Sequence, residues 1–260
     1  MNLMIDAHSH LDHHLIAKNA EEIVQRAKAA GLKYIVSNGI NPETNRKCLE
    51  LSEKYPMIKC AMGLYPKSAL KKETESGEYP MGFGDFDTDG EISFIRKHKN
   101  KIVAISEVGL DFVGGEVKEQ IEDFEKMIKL AKELNKPVVV HSRKAEQKAI
   151  EVLEGFNYKK VVMHCFCGKK SLIKRASDNN WFFTVPTVVV RSHQFQDLVK
   201  NVGISQLFCE TDSPYLSPYK EKMNEPAFVI ESYKKIAEIK NMEMIEVVNN
   251  IYMNWQRVFE

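Results

Sequence analysis

Eight short apolar runs, each followed by a segment of helical period, limit what this chain can fold into. They fall at residues 3–8, 33–38, 58–63, 101–107, 137–142, 160–165, 181–185 and 206–211. Most are β-branched or aromatic and continuous rather than alternating. That pattern suits parallel strands buried on both faces. Between them lie amphipathic stretches, the clearest carrying Val117, Ile121, Phe124, Ile128, Ala131 and Leu134 at steps of three or four, one apolar helical stripe. Asn41 with Pro42 just behind it is a helix start. Eight strand–helix alternations predict a TIM (β/α)₈ barrel. An open doubly wound sheet is the alternative, but no Gly-rich dinucleotide turn follows the first run. No linker divides the chain, so one barrel domain is expected over 1–260. Residues 71–91, Gly-rich, acidic and aperiodic, read as an inserted loop after strand three. The last part reads as one or two closing helices.

The formal net charge of +1 argues against a protein that binds polyanions through bulk charge, though not against a local basic patch. No run reaches the length of a membrane span, and no basic-then-apolar leader opens the chain. The five cysteines are scattered and odd in number. A reducing, cytoplasmic setting is therefore expected rather than a disulfide framework. A monomer or weak oligomer is expected.

In a parallel barrel the reactive groups stand at the C-terminal ends of the strands. Here those ends carry Asp6, His8 and His10 (strand one), Glu107 (four), His141 (five), His164 (six), and Glu210 and Asp212 (eight). Residues i and i+2 of a strand share a face, so His8 and His10 can both look into the barrel. Two imidazoles on one face can grip a divalent ion, and carboxylates from strands four and eight can neutralise it or bridge it to a second. Two ions roughly 3.5–4 Å apart can activate a water and clamp the attacking and leaving oxygens of an ester. Taken singly, each residue has a plainer reading as a core histidine, an ion-pair partner or a turn former. Together, five polar strand ends in a buried barrel are costly without a shared purpose. Asp6 is read as at most a group that supports a ligand from behind or a buried pairing group.

His13 and His14 lie past the strand and are read as loop surface. His98 reads as a solvated helix end, and His193 as a cap rather than a substrate contact. Cys165 and Cys167 flank one residue beside His164, but without a second pair they read as small buried thiols, not a zinc knot. The expected loops above the site carry Lys67, Lys71, Lys72, Arg143, Lys144, Lys169, Lys170 and Arg191. Arg143, two residues after His141, is placed for a bidentate phosphate contact. Tyr65 and Lys67 are further candidate substrate contacts, and Phe166 could stack on a base or serve packing.

The stretches DAHSHLD, GLYP, ISEVGLDF, KPVVVHSRKA, MHCFCG, ETDSPYLSP and NEPAFV, in this order, resemble the TatD family of metal-dependent hydrolases over essentially the whole chain. The resemblance implies a TIM barrel of the amidohydrolase-like superfamily with deoxyribonuclease activity and divalent metal. It matches His8 and His10 to first-strand metal ligands, Glu107 to a bridging carboxylate, and His141 and His164 to second-metal ligands. Asp212 matches the acid that binds metal and helps to activate water. The chain departs from the family where Tyr65 replaces the histidine of a G-x-H-P motif, where 71–91 is long, and where VPTVVVRSH stands for a Gly-rich motif.

The expected activity is hydrolysis of DNA phosphodiester bonds through a water activated by two ions, with Asp212 and Glu107 as catalytic groups. Zinc, manganese and magnesium are the candidate metals, and four imidazoles suit zinc, manganese or iron better than magnesium. Two other readings are open: hydrolysis of a small-molecule amide, lactone or ester by the same metals, and a non-catalytic binding barrel.

Overall fold

The computed structural model describes residues 3–75, 86–113 and 115–260. Among the described residues the strands are β1 (Met4–Ser9), β2 (Leu32–Asn38), β3 (Ile58–Met62), β4 (Ile102–Gly109), β5 (Val138–His141), β6 (Val161–Met163), β7 (Phe182–Pro186) and β8 (Leu207–Glu210). All eight expected runs are strands, paired in parallel in sequence order from β1 to β8.

The helices are α1 (Ala20–Ala29), α2 (Pro42–Lys54), α3 (Lys67–Glu75), α4 (Thr88–Lys97), α5 (Lys118–Leu134), α6 (Glu146–Phe156), α7 (Lys170–Asp178), α8 (His193–Asn201), α9 (Ile230–Lys240) and α10 (Met244–Phe259). α2 begins where Asn41 and Pro42 predict, with Asn41 and Thr44 in a reciprocal capping box. α5 carries the expected apolar stripe and ends on Asn135 in the left-handed conformation. The C-terminal part forms two helices, α9 and α10. No described helix is long and apolar enough to cross a membrane.

The sheet closes into a barrel where β8 runs on beside β1. The Asp212 amide donates to the His8 carbonyl at 2.9 Å, and the His10 amide donates to the Ser213 carbonyl at 2.8 Å. A parallel bridge joins Ser9 to Ser213. Asp6 fastens the same seam lower down. Fully buried, its carboxyl accepts from the Thr211 amide at 2.8 Å and from the Thr211 hydroxyl at 2.6 Å. The buried-pairing reading of Asp6 is therefore the one the structure shows, and burial pushes its pKa well up.

The strands face a core of Val, Ile, Leu and Phe side chains, which accounts for their continuous apolar character. Residues 71–91 differ from the expected irregular insertion at both ends. Residues 71–75 complete α3, whose Ala69 and Leu70 are buried, and Asp87 caps α4 by accepting from the Asp89 amide. Residues 76–85 lie outside the described ones.

Candidate metal centre

The C-terminal strand ends converge on one carboxylate. Glu107, near the end of β4 and 3% exposed, sits among four imidazoles. Its Oε2 lies 3.4 Å from His8 Nε2 and 3.5 Å from His10 Nε2. Its Oε1 lies 3.0 Å from His141 Nδ1 and 3.8 Å from His164 Nε2. Asp212 closes the other side, with Oδ1 at 3.5 Å from His10 Nε2 and 3.8 Å from His8 Nε2. All six residues expected as ligands thus meet in one place. His8 and His10 share a face as the period-two rule requires, their Nε2 atoms 3.3 Å apart.

The backbone brings these groups together for local reasons. Gly109 ends β4 at φ +143°, and a Cβ there would lie 2.0 Å from the His141 carbonyl oxygen. Only glycine lets β4 and β5 approach that closely, which carries His141 to Glu107. Asp212 is left-handed at φ 55°, so the chain turns out of β8 as it presents its carboxylate. Asp212 keeps a side chain 15% exposed, against 4% for Glu107. It is the more open of the two carboxylates.

The second nitrogen of three imidazoles is already committed. His10 Nδ1 donates to the Asn38 carbonyl at 3.1 Å, an oxygen that can only accept. His164 Nδ1 bonds Glu210 Oε2 at 2.8 Å, and His141 Nε2 bonds Asp111 Oδ2 at 3.0 Å. Each pairing leaves the other nitrogen as the one that faces Glu107. This is how metal-binding histidines are held, with the far nitrogen donating to an oxygen. The buried Nδ1 of His8 has no hydrogen-bond partner.

Two donor triplets follow, His8–His10–Glu107 and Glu107–His141–His164, each with its donor atoms within 4.8 Å of one another. Glu107 belongs to both. A third triplet, His8–His164–Glu210, meets the same distance. Glu210, however, already accepts from His164 Nδ1 and, at 3.2 Å, from the Cys165 amide, so it orients His164. The donor set, nitrogen and carboxylate oxygen with lone pairs turned inward, fits divalent transition metals.

Without a cation the same atoms are held by protons. Burial disfavours charge on His10, but its hydrogen bond to Asp212 and the charge of Glu107 bring it up to about 9. Burial likewise opposes charge on His164, yet Glu210 and Glu107 raise it to about 10. Burial and the charge of His164, whose ring stacks on His8 at 3.8 Å, push His8 down. Against the cost of its burial, Glu107 is driven well below the usual carboxylate range, chiefly by His164 and His141.

The centre lies at the foot of a cavity of about 690 Å³ lined by His10, Glu107, His141, His164 and Asp212, and higher up by Tyr65, Glu73, Arg143 and Tyr215. Arg143 donates from Nε to Asp111 Oδ2 at 2.6 Å and from a terminal nitrogen to Glu73 Oε1 at 2.9 Å. The Tyr65 hydroxyl lies 3.2 Å from His141 Nε2 and 3.3 Å from both Asp111 and Glu73. Tyr65 and Arg143 are thus at the cavity, as expected. Lys67 is not among its lining residues. Its ammonium is held by the Phe86 carbonyl at 3.0 Å and lies over the Phe86 ring.

Other expectations change. His13 is buried, not on the loop surface, with Nδ1 accepting from the Leu15 amide and Nε2 3.2 Å from the Tyr215 hydroxyl. His14 is exposed. Cys165 is half-buried against the core and Cys167 is exposed, and both line the cavity. Phe166 is buried against Phe183 and serves packing. His193 is an exposed first residue of α8, and His98 caps α4. Lys72 is tied to the Val113 carbonyl and Lys170 faces Asp197. Glu73, Asp111, Asn38 and Tyr215 also belong to the site, though none is singled out by the strand-end rule. Asp111 carried a faint signal, a carboxylate four residues past Glu107 where the chain leaves β4.

An eight-stranded parallel barrel with a histidine–carboxylate cluster at its C-terminal mouth defines a metal-dependent hydrolase in architecture and site. The family model described as TatD related DNase matches residues 5–260, and the chain belongs to the TatD family of metal-dependent hydrolases. A metal-dependent hydrolase of Methanocaldococcus jannaschii is 34% identical over 98% of this chain and 96% of its own length. Deoxyribonuclease TATDN3 of Homo sapiens is 31% identical over 98% and 94%. The crystal structure of YJJV, a TatD homologue from Escherichia coli, superposes with a TM-score of 0.88 at 23% identity, covering 100% of this chain and 99% of that one.

Proposed function

We propose that the protein is a deoxyribonuclease that hydrolyses DNA phosphodiester bonds with two divalent cations. The observation that carries the reading is the shared position of Glu107, between two donor triplets and under a cavity that also holds Arg143. His8, His10, Glu107 and Asp212 would hold one cation, and Glu107, His141 and His164 the other. Bound there, the cations would acidify a water and neutralise charge on the phosphate oxygens.

The protein's own groups do the rest. Asp212, the more open carboxylate, accepts the proton of the attacking water. Asn38, Glu210 and Asp111 keep three imidazoles in the orientation that points a lone pair inward. Arg143 orients a phosphate from the cavity wall, with guanidinium hydrogens beyond the two bound by Asp111 and Glu73. Tyr65 supplies a hydroxyl but no cation, so positive charge on that side of the site comes from Arg143, with Lys144 beside it in the cavity lining. The human relative named as a deoxyribonuclease supports DNA as the substrate.

The test is incubation of the purified protein with single- and double-stranded DNA and added Mg²⁺, Mn²⁺ or Zn²⁺. Cleavage suppressed by a chelator and by Asp212→Ala is expected. No cleavage with any of the three metals refutes the reading.

A further inference from the structure

Arg143 is only partly free to receive a phosphate as it stands. Asp111 takes its Nε hydrogen at 2.6 Å and Glu73 takes one from a terminal nitrogen at 2.9 Å. One guanidinium shared between two carboxylates has little positive charge left over for an incoming anion. The two carboxylates differ in how they are held. Asp111, its side chain 1% exposed, is fixed by His141 Nε2 and by the Val113 amide at 2.9 Å. Glu73 reaches in from α3, with a side chain 19% exposed. The buried residues of α3 belong to a small cluster of Ile40, Tyr65, Ala69 and Leu70, separate from the main core. Among the described residues α3 is anchored by few buried contacts, and such an element shifts at lower cost than the barrel beneath it.

We propose that Glu73 is a specificity-determining residue, a carboxylate that occupies on Arg143 the position of a substrate phosphate, so that a phosphate engages Arg143 fully only by displacing it. Glu73 is a built-in competitor of the same charge sign and similar hydrogen-bonding shape as its rival. A doubly charged terminal phosphate displaces a single carboxylate more readily than a singly charged internal diester does. The pair therefore favours a phosphomonoester group over an internal diester at this position. This rests on the phosphodiesterase reading of the same cavity.

The experiment is a calorimetric titration of the purified, metal-containing protein with inorganic phosphate. Wild type, Glu73→Gln, Glu73→Ala, Arg143→Gln and the Glu73→Gln/Arg143→Gln double variant are compared. Both Glu73 variants are expected to bind phosphate at least roughly tenfold more tightly than wild type. Most of that gain is expected to vanish in the Arg143→Gln background, because the coupling between the two side chains is what is lost. Unchanged or weaker phosphate binding in both Glu73 variants overturns the proposal, as does an equal gain without Arg143. The readout needs no DNA cleavage. A protein that shows the gain but cleaves no DNA retains this inference and loses the proposed function, and the reverse result does the opposite.

Discussion

Replacing Glu107 by glutamine tests the centre at its hub. The substitution keeps the shape and one oxygen ligand but removes the charge that four imidazoles surround at 3.0 to 3.8 Å. A unit charge at about 3.5 Å and an effective dielectric of 20 interacts with another by about 5 kcal/mol, and a divalent cation feels about twice that. The buried carboxylate already bears a desolvation cost that glutamine escapes, and this offsets a large part of the gross figure. A net loss of about 3–4 kcal/mol remains, or about 10²–10³ in the dissociation constant. Because Glu107 belongs to both triplets, the loss falls on both cations together. The assay is chelator competition, with elemental analysis of the dialysed protein. Glu107→Gln that keeps both its metal content and its affinity within about fivefold of wild type would refute the reasoning.

Three further outcomes follow from the same geometry. Asp6→Ala strands the buried amide and hydroxyl of Thr211 at the β1–β8 seam and is expected to cost about 2–3 kcal/mol in denaturant unfolding, with a loss below about 0.5 counting against the seam. In the metal-free protein His10 and His164 are raised from 6.5 to about 9 and about 10, so their stabilisation is complete below about pH 6.5 and is lost as pH rises through those values. A melting temperature that does not fall between about pH 7 and 10 contradicts this, whereas metal affinity should rise over the same window as protons leave the nitrogens. Arg143→Ala is expected to raise KM for a phosphodiester by roughly tenfold or more with metal content intact. Steady-state kinetics and elemental analysis check it, and an unchanged KM favours a small-molecule amide or lactone as substrate.

The barrel was legible because its strands are continuous apolar runs and its helices carry apolar stripes, both local signals. The six ligand-type residues were legible for a related reason: in a parallel barrel a position at a strand end is also a position in space. What the sequence hid depends on contacts across the barrel. Asp111 lies past the end of β4, and nothing local shows that it turns back to His141. Glu210 was visible as a strand-end carboxylate, but the rule that i and i+2 share a face treats it like Asp212. The left-handed backbone at Asp212 sends that side chain to the cavity and leaves Glu210 behind His164. His13 looked like loop because it follows the strand, yet the loop folds down and Tyr215 covers it. Lys67 had the right charge in the right loop, but Phe86 holds it away from the cavity. Glu73 lay at the acidic edge of a stretch read as irregular, where composition masked the last turns of α3.

Metal titration of activity tests the central claim most directly. Protein stripped of metal is titrated with Mn²⁺ while cleavage of an end-labelled single-stranded oligonucleotide is followed. The shared Glu107 predicts no cleavage in the stripped protein and a rise that levels off near two equivalents per chain. Absence of cleavage at every level, or full cleavage in the stripped protein, would contradict the account.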